Sequence, residues 1–476
     1  STDGISRLYN VEGALGGPIK RDKVWYFASA RDFVLHTLPA GVFVGVPGSG
    51  ALNRAPTPGN DRGVDEQDIK SVQVRLTWQI SQKNKFAIYN DRIAKNRGAA
   101  MTAGIDPASA SIVWNSPIYT VGIVKFTSAI SSRLLFEAGY STNYERYNTI
   151  YQPGLARERN TAEWFSNINR QDNALATSWG VGASQNGMSP DRHAVLASMS
   201  YVTSSHNIKV GVQDTWGKYA QWRNANGDIR AIFNNGVPFQ AQILNTPLAW
   251  QDNLYHDFGA FAQDSWTLKR LTVNYGARYE IFASGQPRQV SEPGRFVGAR
   301  EFDPIPMPTW YTFAPRMGLV YDLFGNQKTA LKFSLGRYMQ AGTTGFSNSY
   351  NPNALQATAV TWTDLNGDLT PQGQRGCVFL QPGCEVNLAQ LPAGFGVANI
   401  GRYADDIARM YNVETSFAVQ HELFPRVSVT AGWYNRTFHN LRRRTNTLRT
   451  FADWNQFTVF SPIDGSPITY HTVSSS

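Results

Sequence analysis

The chain has 476 residues, of which 13% are aromatic and only 17% are charged, and its formal net charge is +9. Its mean hydropathy is -0.34, and no stretch approaches the roughly 18 consecutive apolar residues of a membrane-spanning helix. The basic residues are scattered along the chain and form no long basic arm, so we expect no nucleic-acid partner. Many aromatic residues in a polar chain are typical of sheets with one face in lipid and the other in water.

Apolar and polar residues alternate strictly in many segments, which predicts β-strands with two different faces. The clearest segments are 71–80, 208–213, 271–282, 411–423 and 427–434. Between residues 271 and 281, the odd positions are apolar or aromatic and the even positions are polar or glycine. Because successive side chains of a strand point to opposite faces, we expect the odd positions to face lipid and the even positions to face a lumen.

Short turns and long polar connections alternate along the chain. The short turns are predicted at 17–22, 81–85, 131–133, 204–207, 269–270, 325–328 and 425–426. The long connections are predicted at 34–67, 98–113, 148–190, 223–252, 286–309 and 341–409. This organisation predicts an all-β, antiparallel up-and-down transmembrane β-barrel of about fourteen strands, with short periplasmic turns and long extracellular loops.

Aromatic residues gather near the predicted strand ends, as expected for residues at the two membrane interfaces. Examples are Trp25, Tyr26 and Phe27 after the first turn, Trp266 before a turn, and Trp310 at the start of a strand. We therefore expect these rings to lie in interfacial girdles.

Several segments resemble, in order along the chain, the hairpins of Oar-like TonB-dependent receptors. Residues 11–27, with Gly-Gly-Pro-Ile at the turn, are similar to the first barrel hairpin of that family. The later resemblances lie at 258–266 with 271–280, at 313–322 with 331–338, and at 412–423 with 427–434. The resemblance implies a barrel of 22 strands, preceded by a plug that carries a TonB-contacting segment.

This chain begins at the first strand of the resemblance and continues to 464–476, which we interpret as a surface loop or the start of another strand. We therefore expect residues 1–476 to be a partial outer-membrane β-barrel domain that lacks the plug and about eight strands. Loop 341–409 would be extracellular. The implied partners are outer-membrane lipid and lipopolysaccharide, TonB through the missing N-terminal region, and an unidentified extracellular substrate.

No Gly-x-Ser-x-Gly, His-Glu-x-x-His or phosphate-loop motif is present, so we expect no enzymatic activity. The resemblance implies an energy-coupled receptor and transporter of the bacterial outer membrane. One alternative is an outer-membrane adhesin or surface scaffold that binds partners through its loops without transport. Another, a soluble carbohydrate-active β-protein, fits poorly with the alternation of short and long connections.

Four charged residues at predicted lumen positions are candidates for a substrate path: Arg75, Arg278, Glu280 and Arg316. The alternative is that these arginines pair with neighbouring carboxylates such as Glu280. Farther along, Arg442, Arg443 and Arg444 are candidates for contact with lipopolysaccharide head groups, because arginine pairs well with phosphate. The alternative for that triplet is a solvated loop.

Residues Asp364, Asn366 and Asp368 alternate as in the opening of a calcium loop, which makes Ca²⁺ the one candidate cofactor. The position where such a loop would place its last ligand is Arg375, so an Asx-rich turn is the alternative. Within the same connection, Cys377 and Cys384 are predicted to form a disulfide because the cell surface is oxidising. The alternative is two free thiols.

Overall fold

In the computed structural model, the described residues are 2–44, 61–398, 402–446 and 451–473. Parts of the predicted connections 34–67 and 341–409, and the end of 464–476, lie outside them. The main feature is one antiparallel sheet whose long strands are neighbours in chain order. Its strands are β1 (Gly4–Lys20), β2 (Val24–Leu38), β3 (Asp65–Gln79), β4 (Asn84–Ala100), β5 (Ile112–Ala129), β6 (Leu134–Tyr151), β7 (Gln185–Val202), β8 (His206–Asn224), β9 (Leu248–Leu268), β10 (Leu271–Gln286), β11 (Trp310–Asp322), β12 (Thr329–Met339), β13 (Tyr411–Phe424) and β14 (Val427–His439).

These strands have 11 to 21 residues, which is enough to cross a bilayer at a tilt. The connections that close the hairpins have two to six residues. All seven predicted short turns are present, but the first lies at 21–23 rather than 17–22, because β1 continues to Lys20. Four of the turns place a non-glycine residue at positive φ: Asp22, Lys269, Gln327 and Arg426. All the short turns lie at one rim of the sheet and all the long connections at the other, because every strand is antiparallel to its neighbours.

The described strands form an open path with β1 and β14 at its two ends. No described pairing joins β1 to β14, so the barrel-like sheet does not close on itself within the described residues. The prediction of 22 strands is therefore not tested by this path.

The register separates the residues of the sheet into two faces, because directly opposite residues share a face. Tyr275 lies opposite Met317, and Met317 lies opposite Leu335; all three side chains are well exposed. On the other face, Gly276 lies opposite Arg316. Residues of the exposed apolar face and of the polar face thus alternate along β10, as the sequence indicates.

Asp264 is an exception that the alternation did not reveal. It lies opposite Tyr275 and therefore on the apolar face, near the short-turn rim. Its carboxylate contacts the Nδ1 atom of His206 at 2.6 Å and accepts a hydrogen bond from the Tyr275 hydroxyl at 3.0 Å. Because a charge removed from water must be paired, these contacts explain why the face tolerates a carboxylate.

The long connections are folded, which the sequence did not predict. Five short strands from three connections form a second sheet, which we call the loop sheet. In spatial order its strands are Ala357–Thr361, Val237–Leu244, Ile229–Asn234, Asn169–Asp172 and Thr177–Trp179. The pairing of Ile229–Asn234 with Asn169–Asp172 is parallel, and the other pairings in this sheet are antiparallel.

The loop sheet has an apolar core of its own, with contributions from four long connections. Its buried members are Ile168, Ile229, Ala231, Phe233, Ala241, Ile243, Phe296, Val360, Trp362 and Val386. Burial of each such large side chain contributes on the order of 1.5–3 kcal/mol. The connections at this rim therefore form a small folded layer.

The remaining elements are short. They are the helices Ala162–Ser166 and Gly345–Asn348, the 3₁₀ turns Asn226–Asp228, Leu388–Gln390 and Phe451–Asp453, the strands Gln289–Ser291 and Arg300–Phe302, the strand Ile305–Pro306, and the hairpin Trp454–Phe460 with Pro467–Val473. Among the described residues, no helix has the length and apolar character needed to span a membrane.

The two faces give a direct test of the membrane assignment. Val210 lies on the apolar face of β8 and Gln213 on its polar face. We expect Val210→Arg to reduce the free energy of unfolding by about 2–4 kcal/mol, because a charge at mid-depth of the bilayer is costly. Gln213→Arg is the matched control and should change the free energy of unfolding little. Urea titrations of the protein folded into lipid vesicles measure both values, and equal effects would contradict the assignment.

Candidate functional site

A cluster of charged side chains joins the polar face to the longest connection. Glu280 accepts a hydrogen bond from Arg278 Nε at 2.7 Å through its Oε1 atom. Its Oε2 atom accepts one from Arg409 Nη1 at 2.8 Å. A second carboxylate, Asp257, lies 3.8 Å from Arg409 Nη2. The cluster alternates in charge, and the Arg409 side chain at its centre is only 4% exposed.

Arg409 also joins the two ends of the longest connection, to which it belongs. Its Nε and Nη2 atoms donate to the carbonyl oxygen of Gln340 at 3.2 and 3.0 Å. Gln340 follows β12 and Arg409 precedes β13, so one side chain holds the two ends of the longest connection together. Because the same guanidinium binds Glu280, these ends are fixed to the polar wall of the sheet.

The predicted substrate path is only partly assembled in the structure. Arg278, Glu280 and Arg316 lie on the neighbouring strands β10 and β11. Arg278 and Arg316 border a cavity of about 800 Å³, where the Arg316 guanidinium lies over the Tyr338 ring at 4.5 Å. Arg75 lies apart from them on β3, between β2 and β4. A role of these four residues in transport stays a prediction.

Asp228 is the centre of the folded layer of loops, a role that no local pattern in the sequence indicated. Its side chain is 0% exposed and forms an ion pair with Arg159 from the preceding connection. It also accepts hydrogen bonds from the Thr246 hydroxyl at 2.7 Å and from the backbone N–H of Arg295 at 2.9 Å. Three long connections therefore meet at this carboxylate.

Two arginines, one half-buried and one buried, extend this network by binding carbonyl groups. Arg295 donates to Gly373 O at 2.7 Å and to Gly227 O at 3.1 Å, which adds the longest connection to the network. Arg300 donates to Asn245 O and Pro247 O, both at 2.8 Å. Burial lowers the pKa of Arg295 to about 10, which still leaves the guanidinium charged at neutral pH.

The predicted calcium motif forms a hydrogen-bonded turn in the structure. Asp364 Oδ1 accepts from the N–H of Gly367, and Asn366 Oδ1 accepts from the N–H of Asp368, both at 3.0 Å. The carboxylates of Asp364 and Asp368 also approach the buried Glu385, which the sequence motif did not include. Because the oxygens already accept backbone hydrogen bonds, the Asx-turn alternative explains the geometry, and calcium binding stays a prediction.

Cys377 and Cys384 form a disulfide with a Cα–Cα distance of 5.8 Å. Cys384 is buried beside the core residue Val386. The disulfide therefore attaches residues 377–384 of the longest connection to the core of the loop sheet.

Trp310 lies in different surroundings from those predicted, and Arg442 of the arginine triplet lies beside it. Trp310 does not lie in an interfacial girdle; it is on the polar face, where its ring stacks on Phe282 at 5.6 Å. The guanidinium of Arg442 lies 5.1 Å from the Trp310 ring and 4.2 Å from the Phe346 ring. Arg443 and Arg444 are exposed beside it. Contact of the triplet with lipopolysaccharide stays a prediction.

A family model described as an outer membrane beta barrel domain matches residues 51–471. Among solved structures, the chain is similar to the outer membrane transporter YddB from Escherichia coli, with 10% identity, a TM-score of 0.54, and coverage of 97% of this chain and 49% of that one. It is also similar to the ferric yersiniabactin uptake receptor FyuA from Yersinia pestis, with 10% identity, a TM-score of 0.51, and coverage of 92% and 53%.

At this identity the two similarities describe the fold alone. The chain spans about half the length of these solved structures. No protein with a curated description matches the sequence.

The Arg409 cluster can be tested against a matched ion pair. We expect Arg409→Met to destabilise the loop anchor by about 3–5 kcal/mol, because it removes one partner of a buried ion pair. Arg288→Met is the control, since the Arg288–Glu301 pair is largely exposed and should contribute about 0–1 kcal/mol. Hydrogen–deuterium exchange of residues 340–348 reports the loosening, and equal exchange in the two variants would refute the anchor.

The disulfide gives a second prediction. With no reductant, a maleimide–polyethylene glycol reagent should label neither cysteine of the denatured protein, and after reduction it should label both. The Cys377→Ser variant should acquire one label without reductant. Labelling of both cysteines in the unreduced wild type would establish the free-thiol alternative.

Proposed function

This chain belongs to the outer membrane β-barrel domain family, and from that premise we propose that it is part of a TonB-dependent receptor of the Oar-like kind. Its place is the bacterial outer membrane. In the proposed function the sheet is the wall of a transport route, the loops at the long-connection rim bind an extracellular substrate, and energy from TonB drives passage. The proposal includes a 22-stranded barrel with a plug.

The observation that supports this proposal best is the charged polar face beneath folded loops. The inner face of a membrane barrel is generally polar, and here its ion pairs also include a residue of a loop. Here Arg278, Glu280 and Arg409 join that face to the longest connection. Such an arrangement suits a receptor in which binding at the loops is transmitted to the lumen.

The folded layer of loops also supports a receptor. A binding surface needs fixed side chains, and long loops are costly to order on binding. The Asp228 network and the apolar core of the loop sheet hold four connections in one arrangement. A transport receptor and a surface adhesin both benefit from this rigidity, so TonB binding is the property that separates them.

The deciding experiment uses the protein expressed from its complete gene. Outer-membrane fractions should contain a species whose gel mobility changes on heating, as folded barrels show. The purified protein should then bind the immobilised periplasmic domain of TonB. We expect binding to be lost when the TonB-contacting segment is deleted from the complete gene.

Arg133→Gln, in an exposed turn at the short-turn rim, is a control variant that should bind TonB like the wild type. A heat-modifiable barrel that does not bind TonB would reject energy-coupled transport and leave the adhesin hypothesis. A protein that never enters the outer membrane would contradict the family assignment itself.

A further inference from the structure

A continuous series of aromatic rings lies at the long-connection rim. Phe282 stacks on Trp310, whose ring centroid lies 4.8 Å from that of Phe346. Phe346 contacts Tyr350 edge-on at 5.4 Å, and Tyr350 contacts Tyr403 at 5.6 Å. The series therefore runs from the polar wall of β10 and β11 into the longest connection.

Hydrogen bonds hold two rings of this series, Trp310 and Tyr403, in place. Trp310 Nε1 donates to the carbonyl oxygen of Ile407 at 2.9 Å. The Tyr403 hydroxyl donates to Pro306 O at 2.9 Å. The rings are thus fixed by contacts within the protein before any ligand arrives, which reduces the entropic cost of binding on them.

Arg442 is oriented by two of these rings. Its guanidinium lies over Phe346 at 4.2 Å and near Trp310 at 5.1 Å. Stacking occupies the flat face of a guanidinium and leaves the N–H groups at its edge free to bind oxygens in the same plane. Partial burial against the rings lowers the pKa of Arg442.

The surroundings of Arg442 have an excess of positive charge. Two cavities of about 410 and 250 Å³ adjoin at Ser349 and Arg442. The larger is lined by four arginines, with Arg402, Arg443 and Arg444 beside Arg442, and by one carboxylate, Asp406. Four positive charges minus one negative charge leave an excess of three. Among the described residues, no carboxylate forms an ion pair with any of these four arginines.

The position of this cluster indicates a soluble ligand rather than a lipid. Phe282 and Trp310 lie opposite each other and share the polar face with Glu280. Arg442 is stacked on that side of the sheet, whereas lipid head groups would meet the apolar side. The larger cavity is within the usual range for small-molecule sites.

We propose that the aromatic series and the four arginines form a binding site for a soluble, multiply charged anion that carries carboxylate or phosphate groups on a flat ring system. Arg442 binds an anionic group through its exposed edge. Arg402, Arg443 and Arg444 bind further groups, and Phe346 and Tyr350 contact the ring. This inference rests on the proposed function, since it names the chemical class of substrate captured at the loops.

The test uses the purified complete protein and carboxyfluorescein, a flat anionic dye, with fluorescence anisotropy as the readout. We expect saturable binding that weakens as salt is added, because the contacts are ionic. Arg442→Gln should weaken binding roughly tenfold or more, because it removes a charge-assisted contact. Arg133→Gln removes an exposed arginine at the opposite rim and should leave binding unchanged. A cationic rhodamine of similar shape should not bind.

Arg443→Gln is a second variant, to be used if Arg442→Gln does not fold into a heat-modifiable barrel. It should also weaken dye binding.

No dye binding, or equal binding by Arg442→Gln and the wild type, would overturn the inference. Soluble benzenehexacarboxylate should displace the dye. If only lipopolysaccharide displaces it, the arginines bind head groups and the inference is wrong. Dye binding needs neither TonB nor transport, so its failure is distinguishable from failure of the proposed function.

Discussion

In hydrocarbon, a backbone N–H or C=O group without a partner costs several kcal/mol, and this constraint governs the rest of the structure. The twelve long antiparallel strands between β1 and β14 meet it by pairing with both neighbours along one path. Only side chains can then differ between the two faces. Period-two alternation follows from this geometry, and so does the separation of short turns from long connections at opposite rims.

The long connections obey a different constraint because they lie beyond the strands. A loop in water is ordered only if it buries apolar surface or pairs its polar groups. Here the connections share one small core, and Asp228 with Arg295 links four of them. Removal of the Arg159 side chain would leave the buried Asp228 carboxylate without its ion-pair partner, so the folded layer depends on the connections assembling together.

The wall and the loops are coupled through a few side chains on the polar face. Glu280 of β10 binds Arg409, and Trp310 of β11 contacts Arg442 and Phe346. A ligand that displaced Arg442 would therefore act on a ring that belongs to the wall. This proximity gives the proposed receptor a physical route from loop to lumen without a large movement.

The sequence by itself determined the strands, the seven short turns and the two faces, because each is a local pattern repeated every second residue. It also placed Arg278, Glu280 and Arg316 on the polar face. Tertiary structure alone decided that Glu280 meets Arg409, 129 residues later, that Glu385 approaches Asp364, and that Asp228 joins separate loops. These contacts depend on the way in which the long connections fold against one another. A local periodicity does not predict that arrangement.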